Sequence, residues 1–299
     1  MRLDVVGAGP AYTDRPGATG AAYLVRYGGA ALLLDLGQGS FPRLAGLVDP
    51  ADLDAVVISH LHPDHFIDLI PLRHYLRWEQ PRRRVRVLGP DGLEARLDAL
   101  HGEPGFSAAA LDIEWLAEGR RTIGPFELEA ARVTHTESSF GFRISLAGLG
   151  TPTGEAPDAA PDEAQGGPPD AAPGEPQGKA TDATPDATPD AAAGHASEAP
   201  GLVYSGDCGR AEDLDALVRP GDTLLCEVSF GPGPVEPGAE HLDAAAVGAL
   251  VQRARAGRVL LTHLQMGYDR AATVDGVRAR FDGGPVELVD PGFETAIGS

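Results

Sequence analysis

The sequence predicts an α/β fold in which strands end on polar residues and helices follow them. Leu53 to His65, L-D-A-V-V-I-S-H-L-H-P-D-H, is a short apolar strand that stops at Ser59 and runs into His60, His62, Asp64 and His65. Beyond it Phe66, Ile67, Leu69, Ile70 and Leu72 take up an apolar pattern that suits a helix. The arrangement recurs downstream, where the apolar runs L-V-Y, L-L-C and V-L-L-T lead to Asp207, Glu227 and His263. Open α/β sheets place their ligands at such carboxyl ends of strands.

The residue types in the first cluster suit a metal. Imidazole nitrogens and carboxylate oxygens are the donors that a borderline-soft dication such as Zn²⁺ accepts. On an extended segment side chains repeat every two residues, so His60 and His62 point to one side and can grip one ion together. Pro63 then turns the chain, and Asp64 and His65 open the helix in a different direction. That geometry suits a second ion about 3.5–4 Å away, as in two-metal hydrolases.

H-L-H-P-D-H resembles the H-x-H-x-D-H signature of the metallo-β-lactamase fold hydrolases. The resemblance implies an αββα sandwich, two packed mixed sheets with helices outside, and a metal-dependent hydrolase. It also assigns expected roles to residues met along the rest of the chain.

Three strands are expected before the cluster, at Leu3 to Val6, Ala22 to Tyr27 and Ala31 to Leu36, with Gly28-Gly29 as a hairpin turn. The opening V-V-G-A-G-P-A has the look of a dinucleotide fingerprint, but Tyr12 occupies the place of its last glycine and T-D-R-P-G-A-T-G cannot be the helix it must open. Asp35, in L-L-L-D-L-G, matches the aspartate that in this family braces the metal loop from behind. After the metal-loop helix, His74 has no ligand-spaced partner and is expected at the surface or packed. The basic run from Arg82 to Arg86 reads as a solvated strand start. A helix is expected over Gly92 to Leu100, then short strands at Ile113 to Trp115, Phe126 to Glu129 and on to Thr134.

His135 ends that last strand, and another follows from Phe140 to Leu146. The resemblance implies that His135 joins His60 and His62 on the first metal. The phrase T-H-T-E-S-S-F-G-F-R is similar to the tRNase Z-like and cyclic-nucleotide phosphodiesterase branches of the fold.

From Thr151 to Pro200 the composition changes abruptly to Ala, Pro, Asp, Gly and Thr, with the near-repeat T-D-A-T-P-D-A-T-P-D-A. Such a stretch buries too little surface to offset the entropy of ordering it, so a disordered acidic insertion is expected, with His195 in it not a ligand. One domain spanning residues 1–299 is therefore expected, interrupted at 151–200. In tRNase Z enzymes an arm that grips tRNA emerges at this point. Here the segment carries ten acidic residues and one lysine, Lys179, the wrong charge for phosphate contacts. A tRNA partner is thus disfavoured.

After the insertion, S-G-D matches the family's bridging carboxylate, Asp207, with Cys208 beside it expected as a buried packing thiol. The strand Asp222 to Glu227 ends in L-L-C-E, and the resemblance makes Glu227 a catalytic support that orients His241 toward a scissile phosphate. A helix follows, with Asp243 as N-cap and Gly257 as its stop. R-V-L-L-T-H-L ends in His263, matching the last ligand of the second metal with Asp64 and His65, and V-E-L-V-D-P-G-F-E is the expected closing strand.

The expected activity is hydrolysis of a small phosphodiester such as a 3′,5′-cyclic nucleotide by a hydroxide between two divalent ions. Zinc is the first choice, and manganese or iron suit the same donors. Asp64, Glu227 and His241 are the expected catalytic residues. The alternatives are RNA 3′-end cleavage of the tRNase Z kind, lactone or thioester hydrolysis, and a non-catalytic metal-stabilised scaffold that binds a basic partner. The net charge of −20 argues against broad binding to nucleic acid or membrane surfaces. Two cysteines give no disulfide framework, no apolar run reaches about 20 residues, and the N-terminus lacks a signal-peptide core. A cytoplasmic protein is expected, and a homodimer is an expected option by resemblance.

Overall fold

The computed structural model describes residues 1–148, 199–236 and 238–298. His195, Lys179 and all of the expected insertion except Ala199 and Pro200 lie outside the described residues.

The strands are β1 (Arg2–Gly7), β2 (Ala22–Tyr27), β3 (Ala30–Leu34), β4 (Ala55–Val57), β5 (Val85–Gly89), β6 (Leu111–Trp115), β7 (Gly119–Ile123), β8 (Phe126–Arg132), β9 (Phe140–Leu146), β10 (Leu202–Tyr204), β11 (Thr223–Glu227), β12 (Arg258–Thr262), β13 (Val286–Leu288) and β14 (Glu294–Ala296). The α-helices are α1 (Phe41–Leu47), α2 (Pro63–Phe66), α3 (Leu69–Trp78), α4 (Leu93–His101), α5 (Ala244–Ala254) and α6 (Arg270–Arg278). They build two seven-stranded sheets, ordered β14-β1-β2-β3-β4-β5-β6 and β13-β12-β11-β10-β9-β8-β7. The β2–β3 and β8–β9 pairs are antiparallel, whereas β3–β4 and β10–β11–β12 run parallel, so both sheets are mixed.

Alternation along the strands sorts their side chains into layers. In β3, Leu32 and Leu34 face the space between the sheets, where they join Tyr23, Phe126, Phe142, Tyr204 and Leu260 in one buried cluster. Leu33 faces the other way and packs with Leu72 and Leu76 of α3 and Leu93 and Leu97 of α4. The second sheet repeats the scheme, its Leu224, Val259 and Leu261 packing with Val247 and Leu250 of α5 and Val277 of α6. Helices thus cover the outer face of each sheet, and the αββα sandwich is the observed fold. Among the described residues no helix is long and apolar enough to cross a membrane.

Helices α1 and α6 were not expected, and three further elements differ from expectation. The closing segment is two strands, because Asp290-Pro291-Gly292, with Gly292 at φ 97°, carries the chain from the second sheet to the edge of the first. Helix α5 does start after Asp243, whose side chain accepts the Ala246 amide, but it ends at a left-handed Arg255 rather than Gly257. Gly257 serves a close approach instead, since a Cβ there would lie 2.7 Å from the Gly221 carbonyl oxygen. Strand β7, G-R-R-T-I, has too little apolar alternation to stand out in the sequence.

The metal-loop segment is seated by backbone contacts. Ala21 donates to the Asp64 carbonyl at 2.9 Å and Leu36 to the His65 carbonyl at 2.7 Å. Gly37 lies so close that an added Cβ would sit 1.8 Å from the Asp64 carbonyl oxygen, which is backbone and has no rotamer to escape into. Gly37→Ala is therefore expected to lower unfolding free energy by about 1–3 kcal/mol, the range for overpacking. Chemical denaturation measures it, and an unchanged midpoint would contradict the close seating of Asp64.

Candidate metal centre

Strand direction brings the polar ends together. Strands β3 and β4 of the first sheet finish at the same edge, as do β8, β10, β11 and β12 of the second. That edge collects Asp35, His60, His62, Asp64 and His65 from one sheet and His135, Asp207, Glu227 and His263 from the other. All seven residues expected to hold metal meet there. They fall into two sets able to hold a divalent ion, His60, His62, His135 and Asp207, and Asp64, His65, Asp207 and His263, with the donor atoms of each set within 4.8 Å of one another.

Asp207 belongs to both sets. Its carboxylate oxygens lie 3.3 Å from His65 Nε2, 3.3 Å from His263 Nε2, 3.7 Å from His60 Nε2 and 3.7 Å from His135 Nε2. Burial alone would raise its pKa, but the His263 and His65 rings beside it hold it well below the usual carboxylate range. Gly206, at φ 58°, turns the chain where a Cβ would lie 2.6 Å from the Phe140 carbonyl oxygen, so Asp207 reaches the centre on a turn only glycine fits.

The ring nitrogens not aimed at the centre decide the tautomers. His65 Nδ1 donates to Asp35 Oδ2 at 2.7 Å, and His135 Nδ1 donates to the Glu240 carbonyl at 2.9 Å. Ser59 Oγ spends its one proton on Asp35 Oδ2 at 2.8 Å, so at 3.1 Å it accepts from His60 Nδ1. Each of these rings therefore turns an Nε2 lone pair inward. His62 is the exception, with Nδ1 3.1 Å from His135 Nε2. Burial pushes the His60 pKa well down, which favours the neutral ring a metal needs. His60 Nε2, His65 Nε2 and Asp207 Oδ1 are buried without a hydrogen-bond partner among the described residues. Buried polar atoms are nearly always paired, so three orphans converging on one point, all of ligand type, fit a divalent cation.

Asp35 braces the loop as the resemblance implies. Its buried carboxylate accepts from Ser59 N, Ser59 Oγ, His65 Nδ1 and, across the sandwich, Tyr204 Oη at 2.7 Å. Asp35 and His263 sit at φ 57° and 60°, a left-handed backbone that costs a non-glycine residue about 1–3 kcal/mol and is found where function fixes geometry.

Glu227 is fully buried and accepts from Cys208 N, Leu242 N, Ser229 N, Ser229 Oγ and His241 Nδ1, the last at 3.1 Å. Burial would lower the His241 pKa, but the hydrogen bond and charge of Glu227, with the charge of Asp207, bring it up to about 8. His241 Nδ1 is 4.0 Å from Asp207 Oδ2, and its ring lines a cleft of about 290 Å³ together with Tyr12, His62, Asp64, Asp207, His263 and Gln265.

Other candidates fall elsewhere. His74 and His101 pack around Phe106, His101 stacked on its ring at 3.8 Å. Arg83, Arg84 and Arg86 pair with Asp52, Asp112 and Glu114. Cys208 and Cys226 are buried thiols whose pKa burial raises. Sequence reasoning missed Ser59 and Tyr204. Tyr204 reads only as a strand-end aromatic, because its partner Asp35 lies 169 residues away in the chain.

Residues 15–151 match the Metallo-beta-lactamase superfamily. The uncharacterized protein Rv1339 of Mycobacterium tuberculosis is 27% identical over 304 residues, covering 98% of this chain and 92% of its own. A ribonuclease Z of Bradyrhizobium diazoefficiens is 28% identical over 83% of this chain and 84% of its own length. Among solved structures, the metallo-beta-lactamase fold protein YhfI of Bacillus subtilis superimposes with a TM-score of 0.73 at 19% identity, covering 99% of each chain. Human tRNase Z, short form, gives 0.64 at 18% identity over 99% of each chain. Unliganded yeast PDE1 gives 0.62 at 11%, covering 97% of this chain and 98% of its own.

Removing the Tyr204 hydroxyl takes one of four donors from the Asp35 carboxylate behind His65. Adding Zn²⁺ is expected to raise the Tm of the wild type, and Tyr204→Phe is expected to bind the ion about tenfold more weakly, the low end for groups that support a ligand. Metal titration against a competing chelator measures it, and equal affinity would contradict a role for the phenol.

Proposed function

We propose, from the premise that this chain is a metallo-hydrolase of the metallo-β-lactamase superfamily, that it hydrolyses a small phosphodiester, a 3′,5′-cyclic nucleotide being the preferred substrate class. The observation that carries the reading is the Glu227–His241 pair at the mouth of the cleft. A phosphodiester carries anionic charge on its oxygens before any reaction, which His241 with its raised pKa meets, whereas a neutral acyl ester presents none.

In this reading His60, His62 and His135 hold one divalent ion, Asp64, His65 and His263 the other, and Asp207 both. Such ions, when bound, lower the pKa of coordinated water and neutralise charge on phosphoryl oxygens. The chain's own groups do the rest. Glu227 fixes the His241 ring through Nδ1–H, which leaves Nε2 for the cleft. From there it donates a hydrogen bond to a phosphoryl oxygen or a proton to the leaving oxygen. The five hydrogen bonds that Glu227 accepts hold that carboxylate in place without help from solvent.

The ribonuclease Z, tRNase Z and PDE1 relatives support phosphodiester chemistry more than acyl chemistry. RNA 3′-end cleavage is the second reading, favoured by the ribonuclease Z similarity and opposed by the acidic residues of 151–200. The cleft, at about 290 Å³, lies just below the roughly 300–1,000 Å³ common for small-molecule sites, which favours a small substrate over a large one.

With Zn²⁺ or Mn²⁺ supplied, the wild type is expected to hydrolyse bis(p-nitrophenyl) phosphate and 3′,5′-cyclic AMP, and His241→Ala to lose about 10²–10⁴-fold in kcat with its metal content unchanged. Steady-state kinetics on both substrates reads this out. A fully metallated wild type that turns over neither would overturn the reading, and acyl esters and precursor tRNA would then be the substrates to assay.

A further inference from the structure

We infer that Tyr12 and Gln265 form a nucleobase subsite at the rim of the cleft, Tyr12 stacking on the base and the Gln265 amide pairing with its edge. The inference rests on the phosphodiesterase reading and deepens it, because it names what lies beyond the phosphate in the substrate.

The cleft floor is ionic, made of His62, Asp64, Asp207, His241 and His263. Its rim is different. Pro10, Ala11 and Tyr12 come from the segment between β1 and β2, and Gln265 from the segment after β12. Tyr12 is 60% exposed, and its ring is the phenol among the lining residues. Neither the Tyr12 hydroxyl nor the Gln265 amide is engaged by another side chain or backbone group among the described residues. A single exposed aromatic is ordinary. One that lines the same cleft as a polar amide, with a metal-type donor set in the lining, has the composition of a small-molecule site: flat apolar surface, few directed polar groups.

The rim is also held in place before any ligand arrives. Gln38 Nε2 donates to the Pro10 and Ala11 carbonyls at 3.3 and 3.4 Å, on the residues that precede Tyr12. Gly9 N donates to the Thr19 carbonyl at 2.8 Å, closing the base of the segment. His263 N donates to the Ala8 carbonyl at 3.0 Å, and Arg15 donates to the Leu264 carbonyl, so the Tyr12 and Gln265 segments are tied to each other on both sides of the aromatic. The tie runs through His263, one of the residues on the cleft floor, and couples the position of the base platform to that of the phosphate site. A platform whose backbone is already ordered loses little entropy when a base settles on it.

Stacking tolerates any base, because every base has a π-face, while the amide of Gln265 can both donate and accept and so discriminates among them. The subsite therefore predicts a substrate that is a nucleotide rather than a phosphodiester of another kind.

The test compares wild type, Tyr12→Ala, Tyr12→Phe and Gln265→Leu as full-length, metal-loaded enzymes, with 3′,5′-cyclic AMP and 3′,5′-cyclic UMP as substrates and inorganic phosphate as a base-free competitive inhibitor. Tyr12→Ala is expected to raise KM for cyclic AMP at least about fivefold, the lower end for base stacking, and Tyr12→Phe to restore it. Inhibition by phosphate should shift less than twofold in both. Gln265→Leu is expected to change the ratio of kcat/KM for the two nucleotides by threefold or more. Unchanged KM in Tyr12→Ala, in an enzyme that hydrolyses cyclic AMP, overturns the stacking platform alone. An unchanged ratio in Gln265→Leu overturns the role of the amide. A metallated wild type inactive on every phosphodiester overturns the phosphodiesterase reading and this subsite with it.

Discussion

One buried carboxylate, Asp207, is the group on which the rest of this structure depends. It stands within 3.3–3.7 Å of four imidazole nitrogens, two from each sheet. Placing so many polar groups in a low-dielectric interior is costly unless they are paired. Among the described residues the pairing is incomplete, because His60 Nε2, His65 Nε2 and Asp207 Oδ1 have no hydrogen-bond partner there. Each such atom costs about 1–3 kcal/mol when left unsatisfied. Left-handed backbone at Asp35 and His263 adds to the cost of the site. The donor sets around Asp207 are thus of a kind that could hold divalent cations.

The fold tolerates that cost because the surroundings are overdetermined. Three layers of apolar packing hold the two sheets and their helices, and the polar edge is connected to them by directed hydrogen bonds. Tyr204, from the second sheet, donates to Asp35, from the first, so the support beneath His65 spans the sandwich. Asp35 and Glu227 play matching parts on opposite sides. Each is a buried carboxylate saturated with donors, and each fixes one histidine through its Nδ1. The difference lies in where the ring points, His65 toward Asp207 and His241 into the open cleft.

Much of this was legible in the sequence for a physical reason. A strand end is local, so an apolar run followed by His or Asp marks both the element and the residue, as at His60, Asp207 and His263. Asp243 announced its helix because a cap acts within three residues. What depends on distant partners was not legible. Tyr204 and Ser59 look ordinary until Asp35 is brought beside them. Gly257 looked like a helix stop, while its reason is the Gly221 backbone packed against it. The split of the last strand depends on which sheet offers a free edge, and no local signal carries that. Tyr12 reads in the sequence only as the residue that spoils a nucleotide fingerprint, and no local signal carries its place in the lining of the cleft.

The measurement that bears most directly on this account is the metal content of the wild type and Asp207→Ala, by elemental analysis after dialysis against Zn²⁺. Two ions per chain are expected in the wild type and no more than one in the variant, because a single carboxylate completes both sets of donors. A wild type that retains none, or a variant that keeps two, would contradict it.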